Sequence, residues 1–295
     1  MKTRKPVLRV LAMFLAFACI ATAADAPKLT FKFKTINVKG SQETDVYANN
    51  NAGVMVGEYF DSSGVQHGMI LKGTKVTTIE DPNGTDTAGY GINNVGAVVG
   101  FYINSLGNGQ GFLYYKGKFK DVGTGPVGNG SAAYGNNDKG EIVGTYVDSS
   151  NVQHGFLKKG KKYTTLDYPG ATFTIAHSIN NSGLITIIWG DSSGNEEGAL
   201  YDGKEYTLIN VPGAVSSYPH KIDTAGDIVY SWADSNGNFH GELCTNCASN
   251  SRTFYTVDDP KGAQARANGI NDHRTIVGRF IPSGNTTFEG FKATY

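Results

Sequence analysis

Apolar and polar residues alternate along most of the chain, in short runs separated by clusters of Gly, Asn, Asp and Pro. Between residues 131 and 171 the runs are SAAYGN, EIVGTYV, VQHGFLKK and KYTTLDY, and the breaks are NNDKG, DSSN, Gly160 and PGA. A period of two is typical of β-strands, and the residues at the breaks are those that form tight turns. The pattern predicts four short antiparallel strands in an all-β chain.

The same four-strand pattern recurs six times. One glycine follows the Asn-rich turn at Gly53, Gly96, Gly140, Gly183 and Gly226, with Arg274 in the sixth copy, in steps of 43 or 44 residues and one of 48. A second glycine recurs at Gly68, Gly111, Gly155, Gly198, Gly241 and Gly290. An aromatic residue stands six places after the first marker at Tyr59, Tyr102, Tyr146, Trp189, Trp232 and Phe280. Four strands in about 43 residues match one propeller blade.

We therefore predict a six-bladed β-propeller as one domain over residues 24–295, with blade repeats starting near 44, 87, 131, 174, 217 and 265. The last copy stops after three strands, at FEGFKATY, and an N-terminal strand over 31–39 resembles the missing fourth strand. Supplying that strand from the N-terminus closes the ring and removes an exposed sheet edge. An open array or two half-domains are the alternatives.

The first 23 residues have the features of an export signal. A basic segment with Lys2, Arg4, Lys5 and Arg9 precedes the apolar run VLAMFLAFACIA and a small-x-small cleavage site at 21–23. The run is shorter than the ~20 residues of a membrane span, and the residues before Cys19 fit a lipid-anchor motif poorly. We expect a secreted or periplasmic protein without a membrane segment after signal removal.

Charge and composition narrow the classes of partner. The chain carries 26 basic and 26 acidic residues, and a general nucleic-acid binder needs a clustered basic surface. We therefore expect no nucleic-acid partner. No phosphate loop, nucleophile elbow or paired zinc motif is present in the sequence, so no cofactor is expected. The sequence does not distinguish a monomer from an oligomer.

Three motifs identify a resemblance. GINNVGAVVGFY, VQHGFL and TTLDYPGA resemble the HAF-type extracellular repeats of bacterial secreted proteins, in which a His-Ala-Phe or His-Gly-Phe triplet opens a strand. The triplet stands here as His67-Gly68-Met69, His154-Gly155-Phe156 and His240-Gly241-Glu242 and has diverged in the other three copies. The resemblance implies export and a propeller-like fold. It brings no catalytic motif.

One first-strand position is predicted to surround the propeller axis. It is occupied by Tyr47, Tyr90, Tyr134, His177, His220 and Asn268. Tyr and His combine an apolar body with a polar tip, so such a ring suits a small polar ligand or a sugar. The alternative is that these side chains wedge between the blades as core.

The position two residues earlier lies on the same strand face. It is occupied by Asp45, Ala88, Ala132, Ile175, Tyr218 and Arg266. The opposite charges lie in the first and last copies, which are neighbours only in a closed ring. We predict that Asp45 and Arg266 approach each other, directly or through one water, and mark a charged spot beside Tyr218 at the channel mouth.

The remaining polar candidates favour structural roles. His67, His154 and His240 belong to three different blades, too far apart to share a metal, so packing or hydrogen bonding is expected and no metal site. The DSSG turns that begin at Asp61 and Asp191, and DSNG at Asp234, lack the pattern of a calcium loop; Asp capping its own turn explains them. Cys244 and Cys247 predict a disulfide in the loop after the third strand of blade five.

Three functions remain open on these grounds. The first is an exported propeller that binds a small polar ligand, a glycan or a surface partner at the channel mouth, without catalysis. The second is a polysaccharide lyase or glycoside-acting enzyme that uses His177, His220 and neighbouring Tyr side chains as acid and base. The third is a structural cell-surface repeat protein, which the irregular first-strand residues disfavour.

Overall fold

The computed structural model describes residues 28–123, 129–249 and 251–295. The predicted export signal lies outside the described residues. The strands, in chain order, are β1 (Lys32–Ile36), β2 (Glu43–Asn49), β3 (Val54–Phe60), β4 (Gln66–Lys72), β5 (Lys75–Ile79), β6 (Gly84–Ile92), β7 (Val98–Asn104), β8 (Gly109–Tyr115), β9 (Lys118–Asp121), β10 (Gly130–Asn136), β11 (Ile142–Val147), β12 (Gln153–Lys159), β13 (Lys162–Leu166), β14 (Phe173–Ile179), β15 (Ile185–Gly190), β16 (Glu196–Tyr201), β17 (Tyr206–Leu208), β18 (Ser216–Ile222), β19 (Ile228–Ala233), β20 (Phe239–Thr245), β21 (Thr253–Thr256), β22 (Gly262–Asn271), β23 (Thr275–Pro282) and β24 (Glu289–Thr294).

These strands form six antiparallel sheets of four, which confirms the predicted six-bladed propeller. In five blades the strands follow in chain order, for example β10-β11-β12-β13. The sixth has the order β1-β24-β23-β22, and β1 pairs antiparallel with β24, with Phe33 opposite Ala293. The N-terminal strand therefore closes the ring, as predicted. Across the parts of the chain that are described, no helix is long and apolar enough to span a bilayer.

Two circles of hydrogen bonds fasten the first-to-second-strand turns to one another. In the inner circle, an Asn side-chain amide donates to the backbone carbonyl at the same position of the next blade, at 2.8–3.1 Å; the donors are Asn50, Asn93, Asn137, Asn180 and Asn271. In the outer circle, a backbone N–H donates to the next blade's Asn or Asp side chain. The bond from Asn271 to the carbonyl of Asn50 joins blade six to blade one, so the ring is closed at its inner rim as well as its edge.

The blade cores are filled by cross-strand pairs that balance a small residue against a large one. Gly100 lies opposite Phe112, Gly144 opposite Phe156 and Gly278 opposite Phe291. A Cβ on any of these glycines would meet a carbonyl oxygen of the first strand and lie within 3 Å of the Phe ring. Blade four reverses the sizes with Ile187 opposite Ala199, and blade five places Tyr230 opposite Glu242. The Gly–Phe and Ile–Ala pairs thus have a similar total volume although the residues change, as close packing requires, whereas blade five pairs two large side chains.

The predicted disulfide lies where strand β20 leads into the loop before β21. The sulfur atoms of Cys244 and Cys247 are bonded, with the Cα atoms 5.5 Å apart, and both residues are fully buried. The Tyr230 hydroxyl contacts the Cys247 sulfur at 3.1 Å and lies 3.0 Å from the carbonyl of Ile209. The disulfide therefore pins an enlarged loop onto the core of its own blade.

The axial pocket as a candidate functional site

The structure brings the predicted first-strand ring together around the axis. Neighbouring ring centroids lie 4.7 Å apart for Tyr47 and Tyr90, 5.1 Å for Tyr90 and Tyr134, 5.1 Å for Tyr134 and His177, and 4.8 Å for His177 and His220. Asn268 completes the circle and donates from Nδ2 to the carbonyl of Val46, at 3.0 Å. The side chains contact one another across blade boundaries.

A β-bulge places each of these side chains. The register of every first strand shifts around the ring position, as between Val46 and Ala48 in blade one and between Ala267 and Gly269 in blade six. A bulge leaves one residue unpaired and re-aims its side chain. The residues after the bulge are mostly small; Gly269 lies so close to Tyr47 and Ala48 of the next blade that a Cβ would meet their backbone.

The ring side chains enclose one end of a pocket, which we call the axial pocket. It has a volume of about 170 Å³ and is lined by Tyr47, Tyr90, His177, His220, Arg266, Asn268 and Arg279. Pockets for drug-sized ligands measure ~300–1,000 Å³, so this one suits a ligand about as large as a single sugar ring. Tyr134 contacts the ring but does not line the cavity, and neither does Tyr218, whose ring lies 5.9 Å from that of Phe239.

The charged spot exists, but its ion pair differs from the prediction. Asp45 pairs with Arg279, whose Nη1 lies 2.7 Å from Oδ2 of Asp45, and not directly with Arg266. Arg279 lies opposite Arg266 on the neighbouring strand of blade six, so the closure that the prediction relied on is correct. Arg279 is the partner because its side chain, on the second strand β23, reaches the carboxylate of Asp45 at the same corner of the pocket.

Blade one contributes a second carboxylate to this corner. The Tyr47 hydroxyl donates to Oε1 of Glu58 at 2.7 Å, and Nε2 of Gln66 donates to Oε2 at 2.6 Å. Burial raises the pKa of Glu58 to about 7 and also raises the pKa of Asp45, against the opposing effect of Arg279. Burial raises the pKa of Tyr47 well above its usual value, so Tyr47 remains a neutral donor.

The two histidines of the ring form a fixed hydrogen-bond chain. His177 Nδ1 lies 2.9 Å from the backbone carbonyl of His220 and must donate, which leaves Nε2 of the neutral ring as an acceptor. His220 Nδ1 lies 3.3 Å from that Nε2, and its own Nε2 lies 2.6 Å from Oγ of Ser231. Burial lowers the pKa of His177 to about 4, and burial with the neighbouring His177 lowers the pKa of His220 well below its usual value. Both rings are neutral at pH 7, and all four nitrogens are engaged.

Sequence reasoning missed Glu58 and Arg279, although a signal was present. They occupy the second-strand position opposite the Asp45 set, which is filled by Glu58, Phe101, Thr145, Ile188, Ser231 and Arg279. Its two charged members stand in blades one and six, as they do in the first-strand set. The cross-strand position therefore departs from the six-fold pattern in the same two blades as the first-strand position, and this is the signal for Glu58 and Arg279.

Three histidines outside the pocket have local structural partners. His67 lies between Asp61 and Glu80, His154 between Asp148 and Asp167, and His240 between Asp234 and Asp258, with nitrogen–oxygen distances of 2.6–3.5 Å. Each ring stacks on an aromatic marker of the repeat, Tyr59, Tyr146 or Trp232. The prediction of packing and hydrogen bonding is confirmed. Asp61 also accepts from the N–H groups of Ser63 and Val65, as expected of a turn-capping residue.

These histidines predict a pH-dependent stability. Burial lowers their pKa, but the hydrogen bonds to the flanking carboxylates outweigh it and raise the pKa above 6.5. A raised folded-state pKa stabilises the fold below about pH 6.5, and this contribution is lost as pH rises through the folded value. Replacing all three with Gln, which blade two has at Gln110, should lower the free energy of unfolding more at pH 5.5 than at pH 8.5. Equal losses in urea titrations at the two values would contradict this.

The other end of the channel has a different character. A cavity of about 50 Å³ lies there among the Asn and Asp side chains of the two hydrogen-bonded circles. Lys221 contributes the one ammonium group to its lining among the described residues, at a position where the other blades have Ala, Gly or Ser. Burial lowers the pKa of Lys221 to about 8. Most Asn amides here already donate to backbone, so this end closes the ring.

Comparison with known proteins supports the fold and no closer assignment. No protein-family model matches the chain, and no curated protein matches it in sequence. The chain is similar in structure to the six-bladed fucose-binding lectin of Aleuria aurantia, with 13% identity, a TM-score of 0.53 and coverage of 88% of this chain and 93% of the lectin. It is also similar to a putative TolB from Agrobacterium tumefaciens, with 13% identity, a TM-score of 0.58 and coverage of 85% and 90%. A third similar structure is the SapL1 lectin with α-methyl fucoside, with 10% identity, a TM-score of 0.53 and coverage of 81% and 88%.

Proposed function

We propose that the chain is an exported binding module that holds a small glycan or another small polar ligand in the axial pocket, and that it does not catalyse a reaction. The observation that carries the proposal is the loss of six-fold repetition at the pocket. Blades one and six place Asp45, Glu58, Arg266 and Arg279 at positions that blades two to four fill with Ala, Phe, Thr or Ile. A purely structural repeat has no need of buried charges at one corner of its channel.

The pocket also offers groups that suit a sugar. The hydroxyl of Tyr90 and Oδ1 of Asn268 make no hydrogen bond to other described residues, while aromatic rings form much of the wall. Aromatic faces beside a few placed polar groups are typical of small-molecule sites. The lectins of similar fold named above hold fucose or a fucoside, which supports a sugar as the ligand class. The resemblance to HAF-type repeats and the basic, apolar leader support export.

The hydrogen bonds of the pocket disfavour the lyase alternative. An acid or base must offer a nitrogen or oxygen to the substrate with a pKa near the working pH. His177 and His220 are neutral at pH 7 and use both ring nitrogens within the protein. Glu58, whose pKa burial raises to about 7, is bonded by Tyr47 and Gln66 through both oxygens. These groups hold the shape of the pocket.

Filling the pocket tests the proposal. Asn268→Tyr places in blade six the residue that blades one to three have at this position, and we expect it to abolish ligand binding. It removes one hydrogen bond, so the free energy of unfolding should fall by only ~1 kcal/mol. Glu197→Gln, on an outer strand where blade two has Gln110, is the matched control. The measurement is a glycan-array screen of residues 24–295 followed by titration of each hit. Hits that both variants bind equally well would place the ligand elsewhere and contradict the proposal.

A further inference from the structure

Arg266 is a charged side chain without a partner. It donates no hydrogen bond to any described residue and forms no ion pair with one, and its Nε is buried without an acceptor. Arg279, beside it, donates to Asp45. A buried or half-buried charge is normally paired, because the loss of hydration is otherwise uncompensated. The unpaired guanidinium faces the axial pocket.

The surroundings of Arg266 hold it in a binding orientation. Its guanidinium carbon lies 3.7 Å from the centre of the Phe239 ring and 5.9 Å from that of Phe288. Stacking on an aromatic face leaves the in-plane N–H donors at the edge free, and that edge matches the two oxygens of a carboxylate. The blade-equivalent position of both Phe residues is Gln, Gly or Glu in the other blades, so the aromatic support is confined to this corner.

The charges around Arg266 favour the binding of one anion from outside the protein. Burial and the adjacent Arg279 lower the pKa of Arg266 to about 10, so it remains a cation at pH 7. Two carboxylates of this corner are engaged within the protein: Asp45 by Arg279, and Glu58 by Tyr47 and Gln66. Two guanidinium groups side by side repel each other, and an anion from outside the protein would relieve that repulsion.

We propose that the ligand of the axial pocket carries a carboxylate, which Arg266 binds, on a body the size of one sugar ring whose hydroxyls meet Tyr90 and Asn268. The ligand class is an acidic monosaccharide of the uronic acid type. This rests on the proposed function, because the hydroxyl contacts and the size of the pocket come from that site. The alternative ligand is a cyclic carboxylate without hydroxyl groups, which would offer Arg266 the same anionic group.

Calorimetric titration with matched ligands tests this. The methyl glycosides of glucuronic and galacturonic acid are compared with those of glucose and galactose, in which a neutral hydroxymethyl group replaces the carboxylate, and with cyclohexanecarboxylate. In the wild-type protein one uronide should bind at least about tenfold more tightly than its neutral parent. Arg266→Gln should remove that preference and leave the affinity for the neutral sugar within about threefold, and Arg266→Lys should restore part of it.

The outcomes separate the two proposals. Neutral and acidic sugars binding equally, or the acidic sugar more weakly, would overturn the carboxylate inference and leave sugar binding intact. If cyclohexanecarboxylate binds as tightly as the uronides and no neutral sugar binds, the carboxylate inference is supported and the proposal that the ligand is a sugar is contradicted. No binding by any of the five ligands would contradict both proposals. Retention of the preference in Arg266→Gln, with folding verified by circular dichroism, would show that another group binds the carboxylate.

Discussion

Arg279→Gln is expected to lower the free energy of unfolding by ~3–5 kcal/mol, because it leaves Asp45 without its counter-charge. The side chain of Asp45 is 2% exposed, and its second oxygen already has no hydrogen-bond partner. A buried carboxylate that loses its cation keeps the full cost of desolvation. Urea unfolding at pH 7, followed by tryptophan fluorescence, measures the loss.

The neighbouring arginine is the matched control for this change. Arg266→Gln removes a cation that pairs with no described residue, so the loss of stability should stay below ~1 kcal/mol. The effect of Arg279→Gln should also shrink as pH falls from 7 to 4. Without Arg279 the folded-state pKa of Asp45 rises further above the unfolded value of ~3.9, so protonation at low pH relieves the penalty. Similar losses for the two arginines, or a loss that grows at low pH, would contradict these roles.

The second large effect concerns the core pair of blade three. Phe156→Ala should cost ~3–5 kcal/mol, since Phe156 is fully buried and its removal opens a cavity. Gly144→Ile should also be strongly destabilising, because the new Cβ would meet the carbonyl oxygen of Ala132 and lie 2.9 Å from the Phe156 ring. Each change alone breaks the volume balance of the pair.

Combining the two changes should be less harmful than their sum. The double variant copies Ile187 and Ala199 of blade four, where the large and small residues exchange strands. We expect a favourable coupling energy of ~1–3 kcal/mol in a double-mutant cycle. The same double change split between blades, Gly144→Ile with Phe112→Ala, is the control, because those residues are not a cross-strand pair. Additive losses in both combinations would show that the pairs are not exchangeable units.

The blades could be predicted from the sequence because local signals agree in every copy. Alternation, turn residues and three recurring markers all specify four short strands per copy, as in β10 to β13. Closure followed from the N-terminal segment that resembles a fourth strand. The ring position was also predictable, since the register of equivalent blades places Tyr47 and His220 at the same distance from the axis. Because the copies are equivalent, a strand position assigned in one blade applies to the other five.

Contacts that depend on a cross-strand neighbour were harder to predict. The partner of Asp45 is Arg279 and not Arg266, because the choice depends on which of two adjacent arginines reaches the carboxylate, and strand register alone does not decide between them. The Asn residues of the turns were assigned a local role. Their Oδ1 atoms do cap their own turns, as Asn50 Oδ1 accepts from the N–H of Val54. Their Nδ2 groups also donate to the next blade, from Asn50 to the carbonyl of Asn93, which is visible only once the blades are arranged in a ring.

The assignment of the ring histidines shows the same limit. Their position near the axis was predicted, and both ligand binding and core packing remained open. In the structure, His177 and His220 form part of the pocket wall. Their ring nitrogens are hydrogen-bonded to each other's residue and to Ser231, and are therefore not free for a ligand. The groups left for a ligand are Arg266, Tyr90 and Asn268. Protonation and tautomer depend on these partners, which sequence position does not reveal.

A crystal structure of the protein with a ligand found by the glycan screen tests the central claim most directly. The account predicts density for one sugar ring on the propeller axis, within hydrogen-bond distance of Arg266 and of Tyr90 or Asn268, and lost in crystals of Asn268→Tyr grown under the same conditions. A ligand bound in a groove between blades, with only solvent in the axial pocket, would contradict it.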